Sequence, residues 1–257
     1  MYLKKIKILC LLICLLFSGN IFAQKPIVQN LTDFDLAPYH FGFILGVNKM
    51  FFAIKPADGF QQLKYGPTRT PDIFSDSAYI LGIESNPTTG FVIGIVSNLR
   101  LTDYFDLRFI PSLSFGEREM IYTFKTYLGN PVVEENVGVT KKVQSTFVEF
   151  PLYVRYKGKR INNVRPYILG GAKYTLDLAS NSKKKDDTNN INVAIEKNDL
   201  YAEIGVGFDF YTAWFKFGTE AKMAYGLRDM LKHDNTIYTG GIDRFTSRLF
   251  QLSFSFE

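Results

Sequence analysis

Cysteine is nearly missing from this chain: there are two, Cys10 and Cys14, and both lie at the N-terminus. The remaining sequence has no thiol to staple loops or hold a metal. Histidine is equally scarce, with only His40 and His233. That excludes a histidine-rich metal set and leaves a Ser/His/acid triad to be built around one histidine at a time. No segment beyond the N-terminal leader approaches the roughly 18 to 20 consecutive apolar residues of a transmembrane helix. Any membrane span must therefore come from strands. Excess charge is lacking too. Lys4, Lys5 and Lys7 are among the 30 Lys+Arg, so the rest of the chain is only slightly positive against 25 Asp+Glu. No basic stripe interleaves with aromatics, which argues against nucleic acid as a partner.

What is present points to export. The three lysines precede an apolar run from Ile8 to Phe17, followed by small and polar residues up to Gln24. This pattern predicts a secretory signal over residues 1–23, cut after Ala23. Cys14 follows Leu11-Leu12-Ile13 rather than a small residue, so a lipid anchor is not expected. At the other end, Ser247 to Glu257 alternates strictly. Phe250, Leu252, Phe254 and Phe256 fall on one face of a strand, while Gln251, Ser253 and Ser255 fall on the other. An apolar outer face on a closing strand is the pattern of a membrane β-barrel wall.

Period-two reading predicts eight strands, at about 39–55, 90–102, 105–125, 146–158, 165–179, 198–212, 213–227 and 244–257. The connections 56–89, 126–145, 180–197 and 228–243 are long and polar. Those at Thr102-Asp103-Tyr104, Gly158 to Val164 and Tyr211-Thr212-Ala213 are short. The expected fold is all-β: an eight-stranded antiparallel transmembrane β-barrel with four long extracellular loops and three short periplasmic turns.

Charge segregation tests that expectation, because Lys or Arg facing lipid costs roughly 2–4 kcal/mol at the midplane. In 213–227, Phe215, Phe217, Ala221 and Met223 share one face, and Trp214, Lys216, Glu220 and Lys222 share the other. Leu200, Ala202, Ile204, Val206, Phe208 and Phe210 separate in the same way from Glu203 and Asp209. So do Val148, Phe150, Leu152, Val154 and Tyr156 from Glu149, Tyr153, Arg155 and Lys157. The predicted lumen set is Arg100, Arg108, Arg155, Lys173, Lys216 and Lys222 with Glu149, Asp177, Glu203, Asp209 and Glu220. Its mixed signs predict mutual pairing and a plugged interior. Pro111 and Pro151 donate no ladder hydrogen bond and are expected at bulges or bends.

Little of this suggests chemistry. Gly170-Gly171 and Gly205-Val206-Gly207 lack phosphate-loop spacing and read as close packing within strands. Lys183-Lys184-Lys185-Asp186-Asp187 nearly cancels its own charge and reads as a solvated loop tip. Asp76-Ser77-Ala78 resembles the Asp-Ser/Thr-aliphatic acceptor of Bacteroidota O-glycosylation. No catalytic, cofactor or metal residue is predicted, no small-molecule substrate is expected, and the chain is not expected to be an enzyme.

Several stretches resemble the PorT (also called SprT) family of the Bacteroidota type IX secretion and gliding system. They are Asn30 to Asp35, His40-Phe41-Gly42-Phe43 running into Leu45 to Asn48, Phe91 to Leu101, Leu107 to Arg118, Val148 to Lys157 and Arg165 to Ala179. Looser forms of some recur across small Bacteroidota outer-membrane barrels, where prolines like Pro111 and Pro151 look like standing features. The resemblance implies an integral protein of the cell outer membrane, required for type IX protein secretion and, where present, gliding motility through adhesin delivery. Its implied partners are the lipid bilayer and other secretion subunits. The implied organisation is a signal at 1–23, a periplasmic segment at 24–38 and the barrel at 39–257. A generic small barrel that anchors or shields the surface is the alternative, and a barrel enzyme the more distant one. Phe256 resembles the terminal aromatic of outer-membrane insertion signals, although Glu257 follows it.

Overall fold

The computed structural model describes residues 28–70, 72–179, 195–232 and 236–257. Among them the regular structure is nearly all strand. The elements are β1 (Tyr39–Pro56), β2 (Lys64–Tyr65), β3 (Thr68–Arg69), β4 (Phe74–Ser75), β5 (Ser77–Asn86), β6 (Thr88–Arg100) and β7 (Phe105–Phe109). They continue with β8 (Ser112–Leu128), β9 (Val133–Lys157), β10 (Val164–Asp177), β11 (Asn198–Tyr211), β12 (Lys216–Gly226) and β13 (Ile242–Phe256). Short 3-10 turns occupy Phe34–Leu36 and Phe60–Gln62.

Eleven of these strands form one antiparallel sheet in which β13, β12, β11, β10, β9, β7 and β6 follow one another from β1. β1 also pairs with β6, so the ladder returns to the strand where it began. The wall is a barrel, and the closing strand β13 has no free edge to expose. β8 continues beyond β7 and pairs with β9, β6 and β5.

The two prolines interrupt the ladder without shifting it. Register with β9 runs unchanged from Phe109↔Leu152 in β7 to Ser112↔Glu149 in β8. Pro111 and Pro151 sit beside each other across this gap, where the Ile110 amide donates to the Pro151 carbonyl at 3.3 Å and the Ile95 amide to that of Pro111 at 3.0 Å. Pro111 thus faces β6 and Pro151 faces the β7–β8 break, and neither shifts the register with its neighbours, so the expected bulge is absent at both. Register shifts fall elsewhere, at Lys55/Pro56 and between Ile80 and Gly82.

Along the short-turn half of the wall, apolar side chains point out and charged ones in, as the alternation predicts. Ile204, Val206 and Phe208 are exposed, while Glu203 and Asp209 are buried. Towards the other end the pattern inverts within single strands. In β8, Leu113 and Phe115 face outward, followed on the same face by Glu117 and Glu119. Inward, Ser112, Ser114 and Arg118 give way to Met120, Tyr122 and Phe124, all fully buried. In β9 the outward series passes from Val154, Leu152 and Phe150 to Gln144, Lys142 and Thr140.

This inversion corrects two expected loops. Most of 126–145 is the far part of β9, leaving only 129–132 as the connection, and 77–86 within the first expected loop is β5, paired along β8. β9 has 25 residues, whereas a tilted strand needs about 9–11 to cross an apolar layer. The surplus stands clear of that layer, polar outside because it meets water and apolar inside because it packs a core. That core contains Phe52, Ile80, Met120, Tyr122, Phe124, Tyr238 and Phe245, and draws Ile195, Met230 and Leu231 from the loops.

Candidate functional site

Because the wall closes, inward side chains from strands distant in sequence meet in the lumen. Nearest the short turns, the Glu257 carboxylate is buried between Arg108, 3.0 Å away, and Lys216, 2.8 Å away. The Arg108 guanidinium makes no aligned hydrogen bond there, so that contact is an ion pair in the simple Coulombic sense. Arg155 pairs with Asp209 and lies on the Tyr167 ring, 3.6 Å from its centroid. The Tyr167 hydroxyl donates to Glu220 at 3.1 Å, and Glu220 forms an ion pair with Lys222 at 2.8 Å. Further in, Lys173 stands between Glu203 at 2.8 Å and Glu149 at 3.3 Å, while the Tyr153 hydroxyl donates to Glu203. Lys157 and Asp106 pair at 2.7 Å.

Two glycines allow close approach here, Gly207 of the Tyr167 ring and Gly171 of the neighbouring backbone. A Cβ on Gly207 would stand 2.4 Å from Cζ of Tyr167, and one on Gly171 would stand 2.0 Å from the Leu152 carbonyl oxygen. The close-packing reading of both Gly pairs holds at these positions.

Arg118 marks the ceiling of the charged region. Its guanidinium reaches Asp177 at 3.4 Å, donates to Ser145 Oγ at 2.5 Å and Ser247 Oγ at 3.1 Å, and is flanked by the Phe52 and Phe147 rings. Above it lies the apolar core. Lys141 reaches Asp72 at 2.5 Å and sits over Tyr238, whose phenol burial pushes up to about 12. The interior is therefore filled by paired charges over one half and by packed apolar groups over the other.

The short-turn end carries a further cover. Residues 28–38 lie across it: the Asn30 amide donates to Asn163 Oδ1 at 2.9 Å, and the Asn163 side-chain amide donates to the Val28 carbonyl at 3.1 Å. Asp35 accepts the Tyr211 hydroxyl at 2.8 Å and faces Arg165 at 3.2 Å. Phe34 stacks on His40 with centroids 4.1 Å apart, under Lys216.

Of the predicted lumen set, all but one residue is buried inside. Arg100 is the exception: it sits at the rim, paired with Asp103 and donating to the Leu36 carbonyl at 3.1 Å. Trp214 is a second correction. It is 87 % exposed, because it lies in the turn before β12, where strand alternation does not apply. Lys157, read as inward from its parity, is buried as expected; Arg118, Asp106 and Glu257 were missed, although Glu257 shares the parity of Ser253 and Ser255 and could have been read from it. His40 serves as a stacking surface, and His233 and the Lys183 to Asp187 cluster lie outside the described residues. Asp76 accepts the Gly129 amide at 3.0 Å and pairs with Arg69 at 2.5 Å, while Ser77 opens β5, half-buried beside fully buried Ala78. Among the described residues no cluster of three or more His, Cys, Asp or Glu side chains is arranged to hold a metal.

A family model described as outer membrane protein beta-barrel domain matches residues 22–232. Among solved structures, the outer membrane protein OprG from Pseudomonas aeruginosa is similar at 10 % identity, with 84 % of this chain and 94 % of that chain covered and a TM-score of 0.37. No curated protein matches in sequence.

Proposed function

The chain belongs to the outer membrane protein beta-barrel domain family, and from that premise we propose an accessory or assembly role in type IX protein secretion, exercised through protein contacts rather than catalysis. The protein resides in the outer membrane, with its apolar face against the bilayer. We take β5–β6, broken at Pro87, and β7–β8, broken at Ile110-Pro111, as single passes, which makes the barrel eight-stranded. The short turns and residues 24–38 then face the periplasm, and the four connections at the other end face outward, following removal of the signal at 1–23.

The observation that carries an interaction role is the filled lumen. Ion pairs from Glu257 to Arg118 and the apolar core beyond them fill the interior among the described residues, which favours the two ends and the wall as working surfaces. The resemblance of His40 to Asn48 and Phe91 to Leu101 to the secretion family supplies the specific process. Deleting the gene and measuring surface delivery of type IX cargo tests it: lost delivery is expected, and unaffected delivery overturns it. Crosslinkers at Val28 and Asp33 should then capture other secretion subunits.

The family match fits equally a generic barrel that anchors or shields the surface, and this is the alternative if cargo delivery is normal. Catalysis through a histidine is a third reading. His40→Ala and His233→Ala, each retaining full cargo delivery, would leave it no support.

A further inference from the structure

On β1 and β13 the outward face turns from apolar to cationic within one or two residues. Leu45, Val47, Phe250 and Leu252 are exposed on that face; Lys49 and Arg248 follow directly, and Lys55 and Arg244 lie further along it, beyond Phe51, Ala53 and Thr246. Lys55 and Arg244 are cross-strand partners and Arg248 pairs with Phe51, so three cations border one stretch of wall and Lys49 stands below them at the apolar edge. Like charges placed directly opposite destabilise a sheet. Asp243 offsets Lys55 at 2.6 Å, but no carboxylate among the described residues pairs with Lys49, Arg244 or Arg248. Arg248 rests over Tyr225, 4.6 Å from the centroid, and Arg244 reaches the Leu227 carbonyl at 3.4 Å. Between them opens a recess of about 260 Å³ bordered by Lys55, Arg244, Thr246 and Arg248.

The β8–β9 wall shows what a self-sufficient boundary looks like. There Lys142 is held by Glu119 at 2.9 Å and Glu117 at 3.2 Å. Snorkelling explains why a cation stands at an apolar boundary on either wall. It does not explain why one wall pairs its boundary lysine with its own carboxylates while the other leaves Lys49, Arg244 and Arg248 without one among the described residues.

We propose that the recess binds the phosphate head of an anionic membrane lipid, whose acyl chains descend along Leu45, Val47, Phe250 and Leu252. Two arginines suit bidentate phosphate recognition, and Lys49 adds a point charge at the apolar edge. The site lies on the lipid-facing wall, so it depends on the outer-membrane location and not on any secretion role.

Native mass spectrometry of the full chain in mild detergent tests this, with bisphosphorylated lipid A and its dephosphorylated form as probes. Retention of the phosphorylated form should exceed that of the other by at least about tenfold. R244Q/R248Q should erase the difference, while K142Q should keep it. K49Q, a single exposed change, should reduce it several-fold and serves if the double variant does not fold. Equal retention of the two lipids, or retention unchanged in R244Q/R248Q or K49Q, overturns the proposal. Displacement of the lipid by millimolar inorganic phosphate also overturns it, because the site would then take free phosphate.

Discussion

The two halves of β8 and β9 obey one rule with opposite results. In the half nearest the short turns, Leu113, Leu152 and Val154 face out while Ser112, Tyr153 and Arg155 face in. In the other half, Glu119, Lys142 and Thr140 face out while Met120, Tyr122 and Phe124 face in. Each face matches its medium, and the medium outside changes from lipid to water partway along the strand. Inside, the change falls at Arg118, where a guanidinium with an acid on one side lies between two phenylalanine rings. The lower interior is held by complementarity of sign, and the upper one by packed volume.

The largest expected effect breaks the outer half of this contrast. Placing charge on the lipid face with Phe254→Asp and Phe256→Asp removes the apolar wall of the closing strand and the Phe43–Phe256 stack, whose centroids are 4.9 Å apart. Folded protein should disappear from outer-membrane fractions, whereas Thr140→Asp, outward in the upper half, should leave its level normal.

Inside, single losses should be similar in size but differ in how they are repaired. Lys173→Met strands Glu149 and Glu203 in the lumen and should cost about 3–5 kcal/mol in urea unfolding from micelles. Adding Glu149→Gln and Glu203→Gln should recover most of that, because removing a whole buried ion group is often close to neutral. Phe245→Ala, which removes a ring stacked 4.0 Å from Phe52, should also cost about 3–5 kcal/mol. Adding Phe52→Ala should deepen that loss, since a cavity has no compensating partner. A full recovery there would erase the distinction between the halves.

Two smaller effects refine the picture. Single-channel recordings of purified protein should show no stable, large conductance, and deleting residues 28–38 should leave them silent, since the ion pairs lie above that cover. At the opposite end, the Gly129 amide and then Arg69 hold the Asp76 carboxyl below its usual range. Its contribution is complete above the ordinary carboxylate value and fades only as pH falls through the lowered one. The Gly129 amide resonance should therefore titrate with a midpoint below that of an unperturbed aspartate, and Asp76→Asn should abolish the titration.

Much of the lipid-facing half was legible beforehand. Lys216, Glu220 and Lys222 permit only one register, and the structure places them as that register requires. The upper half was not legible in the same way, because a search for apolar-out strands reads the inverted stretches 77–86 and 133–145 as polar loops. Trp214 failed for a different reason: alternation stops at a strand end, and the residue lies just past it.

Sequence alone determined which face of each lower strand meets the bilayer, because alternation is local and a misplaced charge in lipid is costly enough to exclude the other register. Only the tertiary structure decided which lumen charges pair and where polarity inverts. Lys173 meets Glu203, and Arg118 meets Asp177, across long separations in the chain. Those contacts exist because β1 pairs on both sides and closes the wall around them.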